Sequence, residues 1–288
     1  MILNIYFSLY TRKEQRMTLQ NSSETCGNSF GGDAAEAGTA SVTKRGLKYC
    51  YNPNNQFEIG VDEAGRGPMF GRVYAAAVIL PLSHGDLDYD QLRDSKKIKS
   101  MKTMSKIVEQ IHSVAIAYAV CYEDEDSIDK INIRQATHKA MKRAIHETFQ
   151  QLQSLPRTTK ERKNNPTIYP FLIIDGNDFT PFTIFNTDSN TIQQLPHTTI
   201  EGGDNKYTSI AAASILAKYE RDSYIDQLCE QHPVLKERYS IHTNKGYGTK
   251  IHLDGIKEYG ITKWHRKTYG ICRDYSAKLN EKSNKNNQ

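Results

Sequence analysis

The chain has 288 residues, 38% of them hydrophobic, and a formal charge of +5, a composition that supports one catalytic domain with tails around a real core. Its five cysteines (Cys26, Cys50, Cys121, Cys229 and Cys272) are scattered and odd in number, which excludes a paired disulfide or zinc framework and points to a reducing compartment. The net charge is modest, yet Lys263, Arg266, Lys267 and Arg273 follow one another with no acid between them, a pattern that favours a polyanionic partner.

The chain starts with an apolar stretch, Ile2 to Tyr10, that has no positive residue before it and is too short to span a bilayer. No other segment approaches membrane length, so a cytoplasmic protein with no membrane partner is expected, organelle targeting being left open. From about Met17 to Thr43, Asn, Ser, Gly, Ala and Thr dominate, and such a segment cannot offset its ordering entropy by burial. The expected organisation is a disordered extension over residues 1–46, a catalytic domain over 47–275 and a disordered tail over 276–288.

Phe57-Glu58-Ile59-Gly60-Val61 reads as a strand, ended by the adjacent carboxylates Asp62 and Glu63 and the turn Ala64-Gly65-Arg66-Gly67-Pro68. Val73 to Leu80 is a second, fully buried strand closed by Pro81, so the acids sit on the rim of a core. A helix is expected through Met101–His112 and a third strand through Val114–Tyr122. Ala136, Ala140, Met141, Ala144, Ile145, Phe149 and Leu152 recur at helical spacing, so Asn132–Leu152 is an amphipathic helix packed on the sheet.

After a polar loop, Tyr169–Ile174 forms a fourth strand ended by Asp175-Gly176-Asn177, and Gly202-Gly203-Asp204 introduces the apolar helix Ser209–Lys218. Asp62, Glu63, Asp175 and Asp204 thus fall at element boundaries on one expected side of a sheet, where loops gather and ligands bind. Like charges held together need protons or cations, and an all-oxygen donor set without clustered His or Cys suits Mg²⁺ or Mn²⁺. Two such ions about 3.5–4 Å apart would support in-line displacement at phosphorus, hence phosphodiester hydrolysis. Glycoside cleavage would need only two carboxyls and an aromatic sugar platform, for which Trp264 is the sole tryptophan.

The block Gly60-Val61-Asp62-Glu63-Ala64-Gly65-Arg66-Gly67-Pro68 closely resembles the signature of type 2 ribonuclease H (ribonuclease HII). Asp94-Ser95-Lys96-Lys97, Asp175-Gly176-Asn177, Gly203-Asp204 through Lys218 with Arg221-Asp222, Lys245-Gly246-Tyr247-Gly248-Thr249 with His252, and His265-Arg266 follow in the family's order, over about Phe57 to Tyr269. The resemblance implies an α/β, ribonuclease H-like fold, with a mixed central sheet flanked by helices and a C-terminal helical segment. It further implies an endonuclease acting on RNA–DNA hybrids and on single ribonucleotides in duplex DNA, leaving 5′-phosphate and 3′-hydroxyl ends; a monomer is expected. Asp62, Glu63, Asp175 and Asp204 would be its catalytic metal ligands.

The same resemblance assigns Gly65, Arg66 and Gly67 to sensing the ribose 2′-hydroxyl and Tyr247 to stacking at the RNA-to-DNA junction. Ser95, Lys96 and Lys97 would bind phosphate through hydroxyl and ammonium contacts. Asp222, ~24 Å along a helix from its start near Lys206, is assigned to pairing or capping instead of metal binding. His265 and Arg266 either contact the nucleic-acid backbone or anchor the last segment. Two positions depart from the family pattern: Asn244 stands where histidine is usual, and Arg72 where proline is common. The rival readings are an inert hybrid-binding module and a related polynucleotidyl transferase or junction nuclease.

Overall fold

The computed structural model describes residues 43, 46–81, 89–92, 100–156, 167–186 and 189–276. The expected extension over 1–46 lies outside them save for Thr43 and Gly46, and the expected tail save for residue 276. Thr43 is buried and its hydroxyl accepts the Leu47 N–H at 3.1 Å, so close packing reaches four residues before the expected domain start.

The central sheet has five strands in the order β3-β2-β1-β4-β7: β1 Glu58–Ala64, β2 Val73–Ile79, β3 Ala117–Glu123, β4 Phe171–Asp175 and β7 His197–Ile200. β1 pairs antiparallel with β2 and parallel with β4, and β4 pairs parallel with β7, so the sheet is mixed. A separate hairpin, β5 Thr183–Asn186 and β6 Thr191–Gln194, lies between β4 and β7 in sequence. The helices are α1 Met101–Val114, α2 Glu125–Ile131, α3 Ile133–Ser154, α4 Thr208–Gln231, α5 Val234–Tyr239, α6 Ile241–Asn244 and α7 Lys250–Tyr259, with residues 270–276 also helical.

Alternation along β1 sorts its two faces. Ile59 and Val61 join Ala140, Met141, Ala144 and Ile145 of α3 in one core, while the opposite face packs against α4. α1 covers that second layer through Met104, Ile107, Val108 and Ile111, the apolar stripe its helical periodicity supplies. On the α4 side, a Cβ built on Gly60 would stand 2.3 Å from the backbone carbonyl carbon of Ser209, so only glycine lets the strand and helix backbones touch. The first ten residues of α4, Thr208 to Ala217, are buried, as their apolar run requires.

A third core gathers the C-terminal helices around Phe70, with Ile225, Leu228, Cys229, Leu235, Tyr239, Ile241 and Ile256. Among the described residues, no helix is long and apolar enough to cross a membrane.

Candidate active site

Asp62 and Glu63 lie at the end of β1, which runs one residue past them to Ala64. Pairing with β2 continues through Glu63↔Ala75 and Ala64↔Tyr74, so both acids are fixed in a ladder. The parallel register of β1 with β4 runs to Val61↔Ile174, and the next residue on each strand is Asp62 and Asp175. Neighbouring strand ends thereby hold the two aspartates side by side. Asp175 Oδ1 accepts the Gly203 N–H at 2.6 Å, which ties the Gly203–Asn205 turn, with buried Asp204 in it, to β4.

Asp62 is 4% exposed. Burial, followed by the charges of Glu63 and Asp175, pushes its carboxyl well above the usual range, while hydrogen bonds from Ser214 and from the Glu63 N–H pull the other way. Glu63 is raised chiefly by burial, against the opposing charge of Arg66, 3.2 Å away. Asp204 Oδ1 accepts from the Asn205 side chain at 2.8 Å. Glu63 is engaged with Arg66 and Asp204 with Asn205, and among the described residues no three His, Cys, Asp or Glu side chains are grouped to hold a metal ion. The donor chemistry nevertheless fits a hard divalent cation: these are oxygen ligands, and Asp62 carries an electrostatic strain that positive charge would relieve.

The turn after β1 is held from behind by Arg266. This guanidinium is fully buried and donates to the carbonyls of Gly65 at 2.6 Å, Arg66 at 3.0 Å, Gly71 at 2.8 Å and Arg72 at 3.2 Å. Tyr269 adds its hydroxyl to the Arg66 carbonyl at 2.9 Å. Those buried carbonyl oxygens are thereby satisfied from within the protein. Gly65 has φ +95°, and a Cβ there would meet Arg221 Nε at 2.5 Å, so the position demands glycine on two counts.

Arg66 is half-exposed at the rim, and Tyr247, 50% exposed, lies beside Gly67, where a Cβ would contact its ring at 3.5 Å. The Arg221 guanidinium sits 5.8 Å from the Tyr247 ring centre. The structure therefore brings Gly65, Arg66, Gly67 and Tyr247 together. Ser95, Lys96 and Lys97 lie outside the described residues.

Asp222 pairs with Lys218 and, at 3.1 Å, with Arg221, in the middle of α4. Of the two readings for His265 and Arg266, burial selects the anchoring one, since both are fully enclosed. Asn244 closes its loop at both ends, donating to the Tyr239 carbonyl at 2.7 Å and accepting the Gly246 N–H at 2.8 Å. Arg72 is stacked between Tyr122 and Tyr224, 4.0 and 4.2 Å from the ring centres.

The sequence reading missed Ser214, which bonds Asp62 from α4, and Arg221 beneath Gly65. Ser214 sits inside an apolar helical run that reads as core, and Arg221, named there only as part of a family block with Asp222, lies in the charged stretch after it. The five-stranded sheet and its helices are shared with solved ribonucleases H. The ribonuclease H2 of Pyrococcus horikoshii matches with a TM-score of 0.52 at 19% identity, over 78% of this chain and 99% of that one. A mutant protein of Bst-RNase HIII matches with a TM-score of 0.53 at 18% identity, over 87% of this chain and 78% of that one.

The fold and the relatives of this chain together define a ribonuclease H, a metal-dependent phosphodiester hydrolase. The family model for Ribonuclease HII matches residues 59–272. A Ribonuclease HII of Parabacteroides distasonis is 43% identical over 221 residues, 77% of this chain and 94% of its own. That of Bacteroides thetaiotaomicron is 40% identical over 230 residues, 80% and 98% of the respective chains. The chain belongs to the ribonuclease HII family.

Proposed function

We propose that the enzyme hydrolyses the RNA strand of RNA–DNA hybrids and cuts at single ribonucleotides embedded in duplex DNA, leaving 5′-phosphate and 3′-hydroxyl ends. The observation that carries this reading is one juxtaposition: Asp62 and Asp175 at adjoining strand ends, directly beside a turn whose carbonyls Arg266 holds inward. The 2′-hydroxyl is the sugar group that separates RNA from DNA, and a glycine-flanked backbone can approach it closely. Tyr247 offers an exposed aromatic surface next to that turn for stacking at the junction.

Asp62, Glu63, Asp175 and Asp204 would hold the cation or cations. Bound Mg²⁺ or Mn²⁺ would supply charge neutralisation at phosphorus and a water of lowered pKa. Around it, Ser214 and the Glu63 N–H orient Asp62, the Gly203 N–H orients Asp175, and the Gly65–Gly67 turn with Tyr247 aligns the ribose.

The test is cleavage-site mapping on matched duplexes carrying one, four or many ribonucleotides, with Mg²⁺ or Mn²⁺ supplied separately. Cutting at the ribonucleotide, lost when the sugar there is 2′-deoxy, is the expected result. Continued cutting of the all-DNA control would identify a junction nuclease instead, and binding without turnover in either metal would identify an inert module.

A further inference from the structure

Two buried imidazoles join the aromatic loop to the segment that holds the turn. His252 and His265 face each other through Nε2 atoms 3.1 Å apart, and both side chains are wholly out of solvent. On the far side of His265, the Thr262 backbone N–H points at Nδ1 from 2.9 Å, and the Thr262 hydroxyl, which can donate to it as well, lies 2.8 Å from the same atom. An amide N–H only donates, so this Nδ1 carries no proton and the ring is protonated at Nε2. On the far side of His252, Nδ1 lies 2.9 Å from the Tyr247 carbonyl. A carbonyl only accepts, so here Nδ1 holds the proton and Nε2 is bare.

The two ends independently force the same sense on the central bond, in which His265 Nε2–H donates to His252 Nε2. A proton added to either ring would set two N–H groups against each other, at Thr262 or between the rings. Both imidazoles are accordingly shifted downward, first by burial. Phe70 and Tyr239 pack edge-on to both rings and fix their planes. His265 is followed at once by Arg266, whose N–H bonds Met69 O at 2.8 Å and whose guanidinium holds the Gly65 and Arg66 carbonyls.

We propose that His252 and His265 are positioning residues for ribose recognition: the one-way hydrogen-bond chain from Thr262 through His265 and His252 to the Tyr247 carbonyl fixes the aromatic loop against the Arg266-held turn. This rests on the reading that the turn and Tyr247 meet the ribose. The brace bonds to none of the four acids, so it acts on substrate fit and leaves the hydrolytic step alone.

Two measurements test it. Nitrogen-15 labelling of histidine in the unaltered enzyme at neutral pH is expected to show one buried ring protonated only at Nδ1 and one only at Nε2, in contact with each other. The reverse pattern, or an imidazolium at either position, overturns the proposal. In kinetics, His252→Phe keeps an aromatic ring between Phe70 and Tyr239 but removes both bonds, whereas His252→Asn restores a donor where Nδ1 stood.

On duplex DNA with one ribonucleotide, H252F is expected to raise KM about tenfold with kcat altered less than about twofold, and H252N to recover most of that change. An unchanged KM in H252F overturns the proposal, as does a fall in kcat that H252N shares equally. Should the unaltered enzyme leave that duplex uncut, the functional reading itself fails, while the tautomers still decide whether the chain exists.

Discussion

The Arg266 guanidinium donates to the Gly65 carbonyl at 2.6 Å, across a separation of 201 residues in the chain. The turn that follows β1 is therefore shaped by a segment near the C-terminus. Arg266→Gln cannot reach four carbonyls and, with Tyr269 still serving Arg66, leaves at least one of them without a donor. The expected cost is ~3–5 kcal/mol in urea unfolding, since burying an unpaired polar group carries its desolvation penalty. A loss below ~1 kcal/mol would show that the turn keeps its shape without this residue.

Gly65→Ala places a methyl group at φ +95°, against the Arg221 side chain. Strain at such a position costs about 1–3 kcal/mol, and relief requires the turn to move. The expected outcome is a folded enzyme with kcat/KM on ribonucleotide-containing duplex reduced at least ~10²-fold, because small displacements of aligned groups carry losses of that order. Kinetics paired with circular dichroism decide it, and near-normal kcat/KM would remove the turn from substrate recognition.

Asp62 is buried beside two other acids, and in the absence of cations its charge opposes folding. Asp62→Asn should raise Tm in a chelating buffer by ~2–4 °C, equivalent to ~1 kcal/mol. The same variant should lose most of its turnover and most of the Tm increase that Mg²⁺ or Mn²⁺ gives the unaltered protein. Differential scanning with and without cation, alongside a turnover assay, measures all three. A variant that is still stabilised by cation as strongly as the parent would move the metal site elsewhere.

Acid sensitivity follows from the buried imidazole pair. His265 is pushed from the usual 6.5 down to about 3, first by burial and then by His252. Since the unfolded chain takes up that proton first, the stabilising contribution is complete above about pH 6.5 and is lost progressively as pH falls towards 3. The full difference corresponds to ~5 kcal/mol. In His265→Asn, urea titrations across this window should show about one fewer proton taken up on unfolding; an identical pH slope would mean the ring is already charged in the native state.

Much of this architecture was legible beforehand, for identifiable reasons. The strands β1 and β2 and the helices α3 and α4 carry long apolar patterns, and Asp62 and Asp175 follow the paired residues of neighbouring strands. β5, β6 and β7 were not anticipated, because four-residue strands such as Thr191–Gln194 and His197–Ile200 are polar or half-buried and give no periodic signal. Likewise Arg266 reads in one dimension as one member of a basic cluster. Its four carbonyl partners lie about two hundred positions upstream, a relationship that only the packed chain discloses.

The contact at Gly60 constrains how this enzyme can vary. Because β1 and α4 meet there backbone to backbone, the strand bearing Asp62 and the helix bearing Ser214 are set at one fixed spacing. Even an added methyl group would wedge them apart and draw the serine away from the carboxylate. An evolving population of such chains is thus free to rewrite the solvent side of α4, while this crossing stays pinned by the need for a residue that has no side chain.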